Sequence, residues 1–175
     1  MCLVESNVAL TIHRPYPDAS NYNRGVVVSE HRIDLEWSRN DGPFARGNYS
    51  PDHLIRYAGG QTLRGSPSSS YMGNDAYADP EQLLLSALSA CHMLTFLAVC
   101  ANRSYVVDSY VDAAVAILDR NADGKMAVVK AILAPKVSFS GDKQPTPDEY
   151  AKLHERAHQA CFIANSVKTQ VELKI

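Results

Sequence analysis

The sequence predicts an α+β fold, and three patterns carry that prediction. A long apolar helix spans Asp79 to Asn102, several segments alternate apolar and polar residues between short turns, and an amphipathic helix near the C-terminus leads into a closing strand. With 175 residues, 46% of them hydrophobic, the chain can bury one sizeable core. It can equally be one protomer of an interwoven dimer.

Taken in order, Val8 to His13 alternates, Pro15 and Pro17 open an Asn/Tyr-rich loop, and Gly25 to Val28 is β-branched, so two short strands are expected. Ile33, Leu35 and Trp37 alternate with charged residues as in a half-buried strand, Asn40-Asp41-Gly42 is a turn, and a second strand follows Gly47. His53 to Tyr57 reads as a short strand ending at the Gly59-Gly60 turn, with Arg56 in an apolar setting. Gly65 to Tyr71, rich in serine, reads as a flexible loop.

The central helix has strong start signals. Asp79 can accept backbone N–H bonds, Pro80 suits the first helical position, and Gln82 completes a capping box. Leu84, Ala87, Leu88, Cys91, Leu94, Thr95 and Ala98 recur at helical spacing among other apolar residues, so burial almost all round is expected. Its length of about 35 Å could cross a bilayer, but Glu81, Ser86, Ser89 and His92 interrupt it, which argues against a membrane span.

Beyond it, Tyr110 to Leu118 and Met126 to Phe139 read as strands joined by a hairpin turn at Asn121-Ala122-Asp123-Gly124, with Pro135 marking a bulge or an edge. Thr146-Pro147-Asp148-Glu149 is a second capping box. Tyr150, Leu153, Ala157 and Ala160 line one face of the helix it opens. Val167 to Ile175 alternates and closes the fold.

Charge and cysteine usage limit the function. A net charge of −2 leaves no electrostatic footprint for nucleic acid or an anionic membrane surface. The start of the chain lacks a basic n-region and a long apolar run, so a cytoplasmic protein is expected. Cys2, Cys91, Cys100 and Cys161 lie far apart, without a C-x-x-C pair, which suits free or catalytic thiols in a reducing compartment. Cys91 lies too deep in its helix for the N-terminal partial charge to help its thiolate, so without a nearby cation it would be an inert buried hydrophobe.

The segment Pro80-Glu81-Gln82-Leu83, then Ala87, then Ala90-Cys91, resembles the signature of the OsmC/Ohr family of thiol peroxidases, and Cys161 in Ala157-His158-Gln159-Ala160-Cys161 stands where that family has its second redox cysteine. The resemblance covers about Trp37 to Ile175, leaving residues 1–31 as an extension and 32–175 as the family domain. It implies an intertwined homodimer with long central helices packed against antiparallel β-sheets. It also implies a peroxidase reducing organic hydroperoxides to alcohols, with no cofactor and no metal. In that scheme Cys91 attacks the hydroperoxide and becomes a sulfenic acid, Cys161 condenses with it to a disulfide, and a dithiol such as a lipoylated protein reduces the bridge.

Arg56 is carried over as the active-site cation with Arg39 as a substitute, and Glu81 as the carboxylate that orients it. On its residues alone, Arg56 fits a solvated strand edge and Glu81 fits a favoured acid of a first helical turn. Ten residues of straight helix put Glu81 about 15 Å from Cys91. A bend, a reaching arginine or a second subunit would have to join them. His92 and Phe162 depart from the usual neighbours of the two family cysteines, and Cys100, about 180° round the helix from Cys91, is expected in the core. The alternative reading is a non-enzymatic relative that binds an apolar ligand or senses oxidants.

One further motif competes. His154-Glu155-Arg156-Ala157-His158 matches the zinc-protease pattern H-E-x-x-H. A third ligand would have to come from the 17 remaining residues, and the periodicity puts His154, Glu155 and His158 on a solvated flank, so a metal site is not expected.

Overall fold

The computed structural model describes residues 28–39 and 41–175, and residues 33–175 form one compact unit. The strands expected before Val28 lie outside the described residues, as do Cys2 and Asn40 of the expected turn. The unit is α+β, in the order β1 (Ile33–Glu36), β2 (His53–Tyr57), β3 (Thr62–Gly65), α1 (Pro80–Ala101), β4 (Val106–Asp112), β5 (Val115–Arg120), β6 (Met126–Leu133), β7 (Pro135–Ser140), α2 (Pro147–Ala160) and β8 (Gln170–Leu173).

The first three strands form an antiparallel sheet in the order β1-β2-β3. Its register, with Ile33 opposite Tyr57, Leu35 opposite Ile55, and Ile55 opposite Leu63, gathers the apolar side chains on one face. Asp34, Glu36, Arg56 and Arg64 take the other. β3 is not evident in the sequence because Thr62-Leu63-Arg64-Gly65 carries one large apolar residue; the Gly59-Gly60 turn, with Gly60 at φ +83°, folds it back onto β2. No strand lies between Gly47 and His53: Trp37, Phe44 and Tyr49 pack there as a ring cluster with centroids 5.3–6.2 Å apart, and the Trp37 indole donates to the Ser50 carbonyl at 2.7 Å.

The serine-rich loop is fastened rather than flexible. Buried Ser66 donates to Asp52 at 2.8 Å and accepts from the Asn74 N–H, and Asp75 accepts from the Ser69 N–H. Gly73 is required here, since a Cβ would stand 1.6 Å from the Pro67 carbonyl oxygen.

The two long strand runs expected after α1 are each broken once. β4 gives way to β5 at Ala113-Ala114 and β6 to β7 at Ala134, so β4 pairs with β7 and β5 with β6 across a bend, and Pro135 begins an edge strand. Asp112 holds the bend together: one carboxylate oxygen accepts the Ala134 N–H at 2.7 Å, the other the Ser89 hydroxyl of α1 at 2.5 Å. The hairpin at Asn121 forms as expected, with Gly124 at φ +73°. β8 lies parallel to β6 because the chain returns through α2.

Both capping boxes form, at Asp79/Gln82 and Thr146/Glu149. α1 is long and apolar enough to cross a membrane by length and composition. In this fold it is the helix against which α2, β4, β5 and β6 pack. Phe96, Cys100, Tyr105, Leu153 and Ala157 form the core cluster. Burial all round α1 does not occur within one chain: the stripe Ser86, Ala90, Leu94, Ala98 is exposed, Leu94 at 62%.

Candidate active site

α1 buries Leu88, His92, Phe96 and Cys100, a stripe repeating every four residues. Cys91, about 100° round from His92, is half-buried at the edge of that stripe. α2 buries Leu153, His154 and Ala157 and ends at Cys161, its C-cap, which is 1% exposed. The helix crossing brings Cys91 close enough to Cys161 for its thiol to act on the ionisation of the buried one.

Burial pushes the Cys161 thiol up to about 11, and the neighbouring Cys91 thiol acts in the same direction. The N–H groups of Ala164, at 3.4 Å from Cys161 Sγ, and of Ile163 act against this rise, since they would favour a thiolate. Cys100 lies in the core as expected, its thiol also raised to about 11 by burial.

The other residues carried over do not meet the sulfurs within one chain. Arg56 is held by Glu36 across the first sheet at 3.0 Å, with both side chains well exposed. Arg39 donates to the Gly42 carbonyl at 2.8 Å. Glu81 is half-buried in the first turn of α1 and, among the described residues, forms no ion pair with an arginine.

Sequence reasoning misplaced one set of groups. His154 does not share a solvated flank with Glu155; it is 0% exposed and faces α1, while Glu155 is exposed, His158 is half-buried, and Ala160, expected inward, is exposed. His154 Nδ1 lies 3.0 Å from His92 Nε2, so one ring donates its N–H to the other. Burial depresses both rings to about 4; the neighbouring His158 lowers His92 further and Asp112 opposes. The missed signal was spacing: His92 falls in step with Leu88 and Phe96, and His154 lies next to Leu153 and four residues after Tyr150.

The fold and the paired sulfurs define a small α+β dithiol protein with one half-exposed and one buried thiol. The chain belongs to the OsmC-like protein family, whose model matches residues 73–175. It is similar to an OsmC-like protein of unknown function from Vibrio cholerae, with 42% identity and a TM-score of 0.81 over 85% of this chain and 99% of that one. An organic hydroperoxide resistance protein from Elizabethkingia anophelis shares the fold at 18% identity and TM-score 0.64, over 86% of this chain and 96% of that one. The organic hydroperoxide resistance protein OhrB of Bacillus subtilis does so at 16% and 0.58, over 83% and 98%. No protein of curated function matches the chain.

Proposed function

We propose that this protein is a cysteine-dependent peroxidase that reduces organic hydroperoxides to alcohols. The observation that carries this is the half-buried Cys91 beside the buried Cys161, close enough for one thiol to act on the ionisation of the other. Cys91 attacks the distal peroxide oxygen and the O–O bond breaks. An alcohol leaves, and Cys91 becomes a sulfenic acid. Cys161 then attacks Cys91 Sγ, releasing water, and an external dithiol such as a lipoylated protein reduces the bridge. Apolar neighbours on α1 suit an alkyl group better than hydrogen peroxide. Two fold relatives named for organic hydroperoxide resistance support this class of substrate.

The cation and the carboxylate belong to a homodimer in this reading. Ile33 and Leu35 on the apolar sheet face are 56% and 60% exposed, and the α1 stripe around Leu94 is uncovered. A second copy covering these surfaces would join Arg56, or Arg39, and Glu81 to Cys91. The extension 1–31 precedes this domain, and the working compartment is the cytoplasm.

The test is consumption of cumene hydroperoxide with dihydrolipoamide, together with peptide mass spectrometry after one equivalent of oxidant. A Cys91–Cys161 bridge and turnover that vanishes in Cys91→Ser are expected. Absence of consumption with any dithiol would sink the proposal. It would favour a second reading, a ligand binder or oxidant sensor, which the engagement of Arg56 by Glu36 away from both sulfurs supports.

A further inference from the structure

An open cleft of about 590 Å³ lies between the turn that follows α1, the segment leading into α2, and α2 itself. Four cations line it, Arg103, Lys143, Lys152 and Arg156, together with two acids, Glu149 and Glu155. On a chain of net charge −2, this is a local positive excess. The cleft draws none of its lining from the first sheet or from the exposed stripe of α1.

The two acids are occupied by their own helix. Glu149 accepts the Thr146 N–H at 2.8 Å and the Thr146 hydroxyl at 2.9 Å, and Glu155 accepts the Gln159 amide at 3.3 Å. Lys143 is held as well: its ammonium donates to the Arg103 carbonyl at 2.6 Å and lies 4.3 Å from the centre of the buried Tyr105 ring. Arg103, Lys152 and Arg156 differ. Among the described residues, their side chains form no ion pair and no hydrogen bond. Lys152 and Arg156 also stand four residues apart on α2, where like charges are neighbours and repel. Asp148, four residues before Lys152, forms no ion pair that would relieve this. A bound anion would turn the repulsion into attraction.

We infer that this cleft binds a small molecule bearing a diphosphate group, held by Arg103, Lys152 and Arg156. Guanidinium forks and ammonium groups both suit phosphate oxygens, and charge-assisted bonds of this kind are the strong ones. A diphosphate ester carries about three negative charges near neutral pH, one for each uncommitted cation, whereas a carboxylate would leave two of them unmatched. The volume lies within the range of small-molecule sites, and a nucleic-acid backbone would need a longer stripe of cations than one cleft supplies. Such a ligand would tie the turn after α1 to α2, and binding only the folded chain, it would stabilise it. The site does not depend on the dithiol chemistry assigned to Cys91 and Cys161.

The test is isothermal titration calorimetry of the full chain at low salt, with inorganic pyrophosphate, ADP and adenosine as probes. Pyrophosphate and ADP should bind with a Kd at or below about 100 μM and raise the melting temperature, while adenosine should do neither. Equal affinities for the two would assign recognition to the free diphosphate group, and tighter ADP would add the rest of the ester. Lys152→Gln and Arg156→Gln should each weaken binding about tenfold, and Glu155→Gln, at the same rim, should tighten it about threefold. All three side chains are exposed, so each variant should keep its circular dichroism spectrum. Cys91→Ser should bind both probes as the unaltered protein does, which separates this site from the peroxidase reading. No heat from either phosphate probe at about 1 mM, affinities unchanged in both cation variants, or adenosine binding as tightly as ADP would overturn the site. So would a single-stranded oligonucleotide that binds more tightly than ADP.

Discussion

Two pairs of side chains cross from α1 to α2 at adjacent places, and they differ in what surrounds them. Cys91 and Cys161 meet where α1 is half-open, whereas His92 and His154 meet one position further on, at 1% and 0% exposure. A step of one residue along a helix turns the side chain by about 100°, and that rotation alone separates a reactive edge from a sealed interior. The lesson is that residue type did not decide accessibility here. The soft, apolar-leaning thiol received the opening and the imidazole the core.

Four measurements would break or sharpen this contrast. The largest effect should come from Cys91→Ser, which should reduce hydroperoxide turnover to background while leaving the circular dichroism spectrum unchanged. Persistent turnover would move the chemistry to another sulfur. Cys161→Ser should leave the first oxidation intact and block closure. Dimedone should then trap a Cys91 sulfenic acid, and steady-state turnover should fall at least about tenfold.

For the histidine pair the expected readout is stability against pH. Folding holds each ring near 4, below its unfolded value of 6.5, so the unfolded chain binds more protons between these values. Stability is therefore complete above about pH 6.5 and falls as the pH drops toward 4, by at most about 3 kcal/mol per ring. Urea unfolding across that window should show the decline, and His92→Gln should flatten it. The smallest effect belongs to Cys100→Ala, a control thiol in the same helix. It should cost on the order of 1 kcal/mol through a small cavity and leave turnover unchanged, as a denaturation midpoint and an initial rate would show.

Helix ends were readable because caps are local chemistry: Asp79 with Gln82 and Thr146 with Glu149 need nothing from the rest of the fold. The two sulfurs were readable through their surrounding motifs. The histidine pair was not, since a polar residue on a helix is by default assigned to water, and burial of His154 depends on a partner 62 positions earlier in the sequence. β3 was missed for a similar reason: its strand character comes from pairing with β2 rather than from its own residues. The serine loop looked mobile by composition, yet its hydroxyls and carboxylates find partners that composition does not name. Arg56 was placed on the right strand, but its partner in the chain is Glu36.

The carboxylate of Asp112 ties three distant stretches of chain, through Ser89 on a helix and Ala134 at the gap between two strands. Descendants of this sequence are not free to alter those positions one at a time. A lineage that gives up the acid must also find a new donor and acceptor arrangement at both of the other places, so substitutions at 89 and 112, and insertions or deletions beside 134, should be inherited together.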